Sequence, residues 1–150
     1  MEALKFLINS SPIDITSIRK TITDEDCGAY VQFEGWIRNV NEGRGVKRLE
    51  YEVYAPVAER EGQRIIEEAA SRFGLSRAVC VHRSGLLELG DCAVIVAVTA
   101  PHRDEAFKGC RHIIDEVKVR LPIWKKEHYG NGELEWVNCQ QCAADEDNEP

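Results

Sequence analysis

The chain has 150 residues, 43% of them hydrophobic and 30% charged, with a formal net charge of −7. That length suits one domain with its own core, and the acidic balance argues against general nucleic-acid binding. No apolar run approaches the ~20 residues that a membrane span needs.

Met1 to Asp14 carries only a short apolar patch: Leu4, Phe6, Leu7 and Ile8. It lacks the charged start, long apolar stretch and cleavage site of a signal peptide, so a cytosolic protein is expected. Residues 1–9 read as a first strand and 13–27 as one or two short helical turns. Val31, Phe33, Gly35 and Ile37 then alternate with Gln32, Glu34, Trp36 and Arg38, which is strand periodicity. Asn39 to Gly45 reads as a loop. Leu49, Tyr51 and Val53 alternate with Glu50, Glu52 and Tyr54, a second strand.

Pro56 suits the first turn of a helix. Ala58, Gly62, Ile65, Ile66, Ala69, Ala70 and Phe73 recur on one helical face, and Gly74 stops it. Residues 77–83 form a core strand, and Gly85 to Asp91 a turn-rich connection. Cys92 to Val98 is continuously apolar, so this strand is expected to be covered on both faces. Pro101 starts a second long helix with a stripe of Ala106, Cys110, Ile113, Ile114, Val117 and Leu121, and Pro122 ends it. Trp124 to Val137 reads as a hairpin turning at Gly130-Asn131-Gly132. From residue 29 the order is strand, strand, helix, strand, strand, helix. It predicts an α+β fold with helices packed on a mainly antiparallel or mixed sheet.

Six cysteines lie at 27, 80, 92, 110, 139 and 142. Cys80, Cys92 and Cys110 fall in apolar runs and read as small buried hydrophobes. Cys139 and Cys142 have CxxC spacing, but no second pair and no nearby histidines accompany them, which is half a zinc site at most. His82 and His112 have no acidic or cysteine partners at metal spacing, and His82 reads as a strand residue. Nucleotide-binding, nucleophile-elbow and zinc-protease motifs are missing.

Three segments carry candidate chemistry. At Thr99-Ala-Pro-His-Arg a strand gives way to a helix, whose free N–H groups and dipole favour an anion. His102 and Arg103 add donors there, and Arg suits phosphate with its planar fork; a solvated first turn explains the segment equally well. Lys118, Lys125 and Lys126 bracket Pro122 and Trp124. Ammonium groups gathered in one cleft repel each other, which suits a lysine to act as base, nucleophile or proton donor. Lysines complementing a helix C-terminus are the plainer explanation. Arg38 stands where a strand enters a loop, a common place for ligand-binding groups, though a charged hairpin tip would look the same.

Taken together, the segments resemble the molybdopterin synthase large-subunit (MoaE) family. The matching pieces are Gly28-Ala with Phe33-x-Gly35-x-x-Arg38-Asn39, Leu49-Glu-Tyr-Glu-x-Tyr54, and His82-Arg-x-Gly85. Ala100-Pro-His-Arg103 with Ala106-Phe107, and Lys118-x-x-x-Pro122-x-Trp124-Lys125-Lys126-Glu127, are the most specific. They run in family order over roughly residues 4–137. The resemblance implies an α/β hammerhead fold with a smaller β subdomain, over residues 1–138; the composition of 139–150 reads as an acidic, disordered tail. It implies a homodimer at the centre of a heterotetramer, flanked by small ubiquitin-like sulfur carriers. Each carrier ends in a glycine thiocarboxylate, and the substrate is cyclic pyranopterin monophosphate, which receives the sulfurs of the molybdopterin dithiolene. No metal or redox cofactor is implied. Lys118 and Lys125 match the family's catalytic lysines, and Arg38, His102 and Arg103 its substrate-binding basic residues. Trp36, Ile37, Lys126 and Glu127 match positions lining the same pocket. The CxxC and the acidic tail have no family counterpart. Two other readings stay open: a non-catalytic module that binds the carrier or an anion, and a thiol or zinc protein using Cys139 and Cys142.

Overall fold

The computed structural model describes residues 3–41, 44–129 and 134–138. The CxxC pair, the acidic tail and the turn at residues 130–133 lie outside them. Strand β1 (Leu4–Asn9) and the short helix α1 (Ile15–Thr21) come first. The Asp14 carboxylate caps α1 by accepting from the Ser17 amide at 3.1 Å. Then follow β2 (Ala29–Trp36), β3 (Val40–Asn41), β4 (Arg44–Val53), α2 (Ala55–Phe73), β5 (Arg77–Arg83), β6 (Gly85–Glu88), β7 (Cys92–Ala100), α3 (Arg103–Arg120), β8 (Ile123–Tyr129) and β9 (Leu134–Asn138).

The predicted α+β class holds, and the strands form two sheets rather than one. The first has the order β1-β5-β7-β2; β1 and β5 run parallel, the other pairs antiparallel. The second has the path β3-β4-β8-β9, with β6 also paired to β4. Two expectations change here. The loop predicted at Asn39 to Gly45 contains β3 and the start of β4. The connection predicted at Gly85 to Asp91 contains β6. In both, Gly and charge masked strands too short or too polar to show period-two alternation.

Strand β7 alternates between two apolar layers, as its unbroken hydrophobicity demands. Val94, Val96, Val98 and Ala100 join the core under α2 and α3. Ile95 and Ala97 join Ile22, Val79 and Val81 on the opposite face, where Ile15 and Ile18 of α1 cover them. The α3 stripe of Ala106, Cys110, Ile113, Ile114 and Val117 is buried as expected, with Gly109 added. Gly109 lets α3 approach closely: a Cβ there would stand 2.6 Å from the Leu75 side chain. Helix α2 ends on Gly74, whose φ of 66° is left-handed. Helix α3 begins at Arg103, two residues after Pro101, because His102 keeps an extended backbone.

Arg120 ties the last turn of α3 to α2. Its Nε donates to Glu61 at 2.8 Å and its Nη1 to Glu68 at 2.6 Å. Cys80 and Cys110 are buried, whereas Cys92 is half-buried at its strand end, short of the full burial expected. Among the described residues, no helix is long and apolar enough to cross a membrane.

Candidate active site

Pro122 has no N–H to continue α3, and Leu121 turns to extended geometry with ψ 141°. The chain reverses into β8, so Lys118 and Lys125 stand on either side of one turn. Lys118 is half-buried in the last turn of the helix. Beneath it lies His82 of β5, on the same face as Cys80 and Ala78. His82 is buried, and its Nδ1 lies 2.7 Å from the carbonyl oxygen of Arg83. Burial, together with the Lys118 charge, pushes the imidazole down to about 4, so it is neutral near pH 7.

The second sheet supplies the other wall. Tyr51 of β4 meets the His82 ring edge-on, with centroids 5.0 Å apart and planes at 83°. Directly across the ladder from Tyr51 is Lys125, and across from Leu49 is Glu127. Cross-strand partners share a face, so Lys125 and Glu127 point to the Tyr51 side. Lys125 Nζ lies 3.3 Å from Glu127 Oε1. The Glu127 side chain is only 1% exposed and that of Lys125 17%. A carboxylate buried this deeply requires a cationic partner. The result is a polar centre where two sheets and a helix end meet: Lys118, His82, Tyr51, Lys125 and Glu127. Such a centre can hold an anion against an ammonium group, exclude much of the solvent, and offset negative charge that develops during a reaction.

The remaining candidate residues divide. Ile37 is buried with Leu49, Leu87 and Ala93, a cluster that also touches Tyr51, so it lies beside this centre. Arg38 follows it and is exposed. Trp36 is 66% exposed, and its indole N–H donates to Glu34 at 3.2 Å. Lys126 points to the opposite face of the second sheet from Lys125, as strand alternation dictates, and its Nζ sits 5.3 Å from the Trp136 ring centroid.

His102 and Arg103 are exposed at the start of α3. Arg103 is separated from Lys118 by fifteen helical positions, or about 22 Å at 1.5 Å per residue. Arg38 is also remote from Arg103. Ala29 pairs with Ala100 and Trp36 with Cys92, so the two arginines flank opposite ends of the β2–β7 ladder. One chain therefore does not gather Arg38, His102 and Arg103 into a single pocket. The first turn of α3 also carries Asp104 and Glu105, and Asp104 pairs with Lys108 at 2.9 Å. Its dipole is already matched by carboxylates.

Tyr51 and His82 were not singled out for chemistry in the sequence. The available signal was a histidine and an arginine closing an otherwise apolar strand, Ala78-Val-Cys-Val-His-Arg83. An interior polar side chain in such a strand needs a partner, but not until the two sheets meet is that partner visible.

Fold and site together define an α+β protein with a two-lysine polar centre between a helix end and the joint of two sheets. A family model described as "MoaE protein" matches residues 8–120. The molybdopterin synthase catalytic subunit of Nostoc sp. (strain PCC 7120) is 39% identical over 138 residues, covering 91% of this chain and 84% of that protein. The crystal structure of molybdopterin synthase from Staphylococcus aureus superposes with a TM-score of 0.82 at 34% identity, covering 91% of this chain and 98% of that one. A complex of subunits 1 and 2 of the molybdopterin-converting factor from Helicobacter pylori shares the fold, with a TM-score of 0.70 at 18% identity over 89% of this chain and 88% of that one. The chain belongs to the MoaE family.

Proposed function

We propose that this chain is a sulfurtransferase, the catalytic subunit of a molybdopterin synthase. It takes sulfur from the C-terminal thiocarboxylate of a small ubiquitin-like carrier and places it on cyclic pyranopterin monophosphate. One observation carries the reading: Lys118 and Lys125, from a helix and a strand, flank the same His82–Tyr51 pair. A carbon–sulfur bond to the pterin forms as a carbon–oxygen bond at the same pterin carbon breaks, its oxygen leaving protonated, and the carrier's acyl–sulfur bond is then hydrolysed. Water returns an oxygen to the acyl carbon, which leaves as a carboxylate. Negative charge gathers on oxygen and sulfur during that exchange, and two ammonium groups at a half-buried site stabilise it best.

Glu127, 3.3 Å away, holds Lys125 in place. Lys118, half-buried at the end of α3, is the amine assigned to moving protons. Residues 1–138 form the catalytic domain in this reading, and 139–150 a tail outside it. The protein acts in the cytosol, as a homodimer with one carrier at each outer side.

The dimer resolves the position of His102 and Arg103. Since one chain holds them about 22 Å from Lys118, they reach the substrate phosphate from the second copy, opposite Lys118, Lys125 and Arg38 of the first. The direct test mixes the chain with a thiocarboxylated carrier and the cyclic pterin and assays the dithiolene. Absence of product with an authentic carrier rejects the proposal.

A further inference from the structure

We infer that Arg120 is a positioning residue for Lys118 and Lys125: its guanidinium grips two glutamates of α2 and so fixes the rotation of the turn that carries both lysines. This rests on the sulfur-transfer reading above. The grip is specific in geometry. Arg120 Nε donates to Glu61 Oε1 at 2.8 Å, and Nη2 donates to the same oxygen. Nη1 donates to Glu68 Oε2 at 2.6 Å and Nη2 to its Oε1 at 3.2 Å. Nη1 also reaches Glu116, one turn back on α3, at 3.4 Å. Glu61 and Glu68 are about two turns apart, and so lie on one face of α2.

The end of α3 needs such a tie. Pro122 has no N–H, so the helical ladder stops at the bond from the Leu121 amide to the Val117 carbonyl, 3.2 Å long. Val117 and Leu121 are buried, but Lys118, Val119 and Arg120 between them are not. Apolar burial sets how deep the helix end sits, yet it is non-directional and fixes rotation poorly. A planar fork on two carboxylates is directional. Two residues advance about 200° round a helix, so with Arg120 facing α2 the Lys118 side chain leaves on nearly the opposite flank. Any roll of the last turn would swing it. Beyond Leu121, the Tyr54 amide, just before α2, donates to the Pro122 carbonyl at 3.4 Å, and Val53 pairs with Ile123. The reversal between the two lysines is thus held at both ends by the β4–α2 segment.

The opposite charges of the two halves separate positioning from electrostatics. Arg120→Ala removes a cation, and the double variant Glu61→Ala/Glu68→Ala removes two anions. A through-space effect on an anionic substrate would have opposite signs in the two, whereas a broken tie acts the same way in both. In the dithiolene assay each is expected to lose at least tenfold in kcat, with KM for the pterin within twofold. Because the groups act as one unit, the triple variant should lose no more than either. Ile66→Val trims the buried face of α2 without touching the tie and should keep the wild-type kcat. Opposite effects of the two halves, losses that multiply in the triple variant, or an equal kcat loss in Ile66→Val would overturn the inference. Amide hydrogen exchange tests the tie with no reaction at all. Leu121 should exchange at least tenfold faster in Arg120→Ala and in the double glutamate variant, with Ile113 in mid-helix unchanged. Unchanged exchange at Leu121 overturns the inference, whereas an unsubstituted protein that makes no dithiolene overturns the sulfur-transfer reading.

Discussion

Lys125 Nζ stands 3.3 Å from the carboxylate of Glu127, two residues on along the same strand face, and that carboxylate has almost no contact with solvent. Glu127→Ala removes one partner of a nearly buried pair and leaves the other charge uncompensated. The expected cost is about 3 kcal/mol, the lower end for breaking such pairs, because Lys125 keeps some exposure. Urea denaturation measures it. Glu127→Gln preserves the shape and should fold better than the Ala variant, yet lose activity, since Lys125 is no longer held by a charge. A Gln variant with full activity would show that the pair serves stability alone.

Lys118→Ala should nearly abolish product formation while the fold persists, because the side chain is only half-buried and its removal leaves the α3 stripe intact. Lys118→Arg should fail too. A guanidinium keeps the charge but gives up no proton and has a different shape. Full activity in Lys118→Arg would remove the proton-transfer role and leave one for charge alone.

His82 predicts a specific pH dependence of stability. Its folded value of about 4 lies below the ordinary 6.5, so protonation favours the unfolded chain. The stability from keeping the ring neutral is complete above pH 6.5 and drains as the pH falls towards 4. The full loss is roughly 3 kcal/mol. Asp14, Asp24, Glu61 and Glu68 are held below their ordinary values by hydrogen bonds to Ser17, Ser76 and Arg120, so their contributions fade lower down, below about pH 4.5. Chemical denaturation between pH 7 and 4.5 should show a slope that His82→Gln flattens. An unchanged slope in that variant would place the effect elsewhere.

The second copy makes a complementation prediction. Lys118→Ala and Arg103→Ala homodimers should each be nearly inactive. Mixed and allowed to exchange subunits, they should regain about a quarter of wild-type activity, since half the dimers are mixed and each has one intact site. No recovery, with exchange verified by mass spectrometry, would leave His102 and Arg103 outside the site.

The contrast between Lys118 and Arg103 shows how far the sequence could be read. The α3 stripe, the two-sided burial of β7 and the helix stops at Gly74 and Pro122 were legible because each is a local pattern with a local cause. Lys118 and Lys125 were paired through the family resemblance, and the helix stop at Pro122 between them is what lets the chain bring both to one turn. The division into two sheets was not legible: β3 has two residues and β6 four, too short for alternation to register. Nor was the opposite placement of Arg38 and Arg103, which depends on the antiparallel register of β2 and β7. The pairing of Tyr51 with His82 was not legible for the same reason, since their contact joins two strands from different sheets.

The most direct measurement follows the sulfur itself. A carrier bearing radiolabelled sulfur in its C-terminal thiocarboxylate is mixed with the purified chain and the cyclic pterin, and the label is traced. Label should pass to the pterin and appear in the dithiolene, with the carrier ending as a plain carboxylate, and a carrier that starts as the carboxylate should yield nothing. Label that stays on the carrier in the presence of folded chain and authentic substrate would contradict sulfur transfer at the Lys118–Lys125 centre.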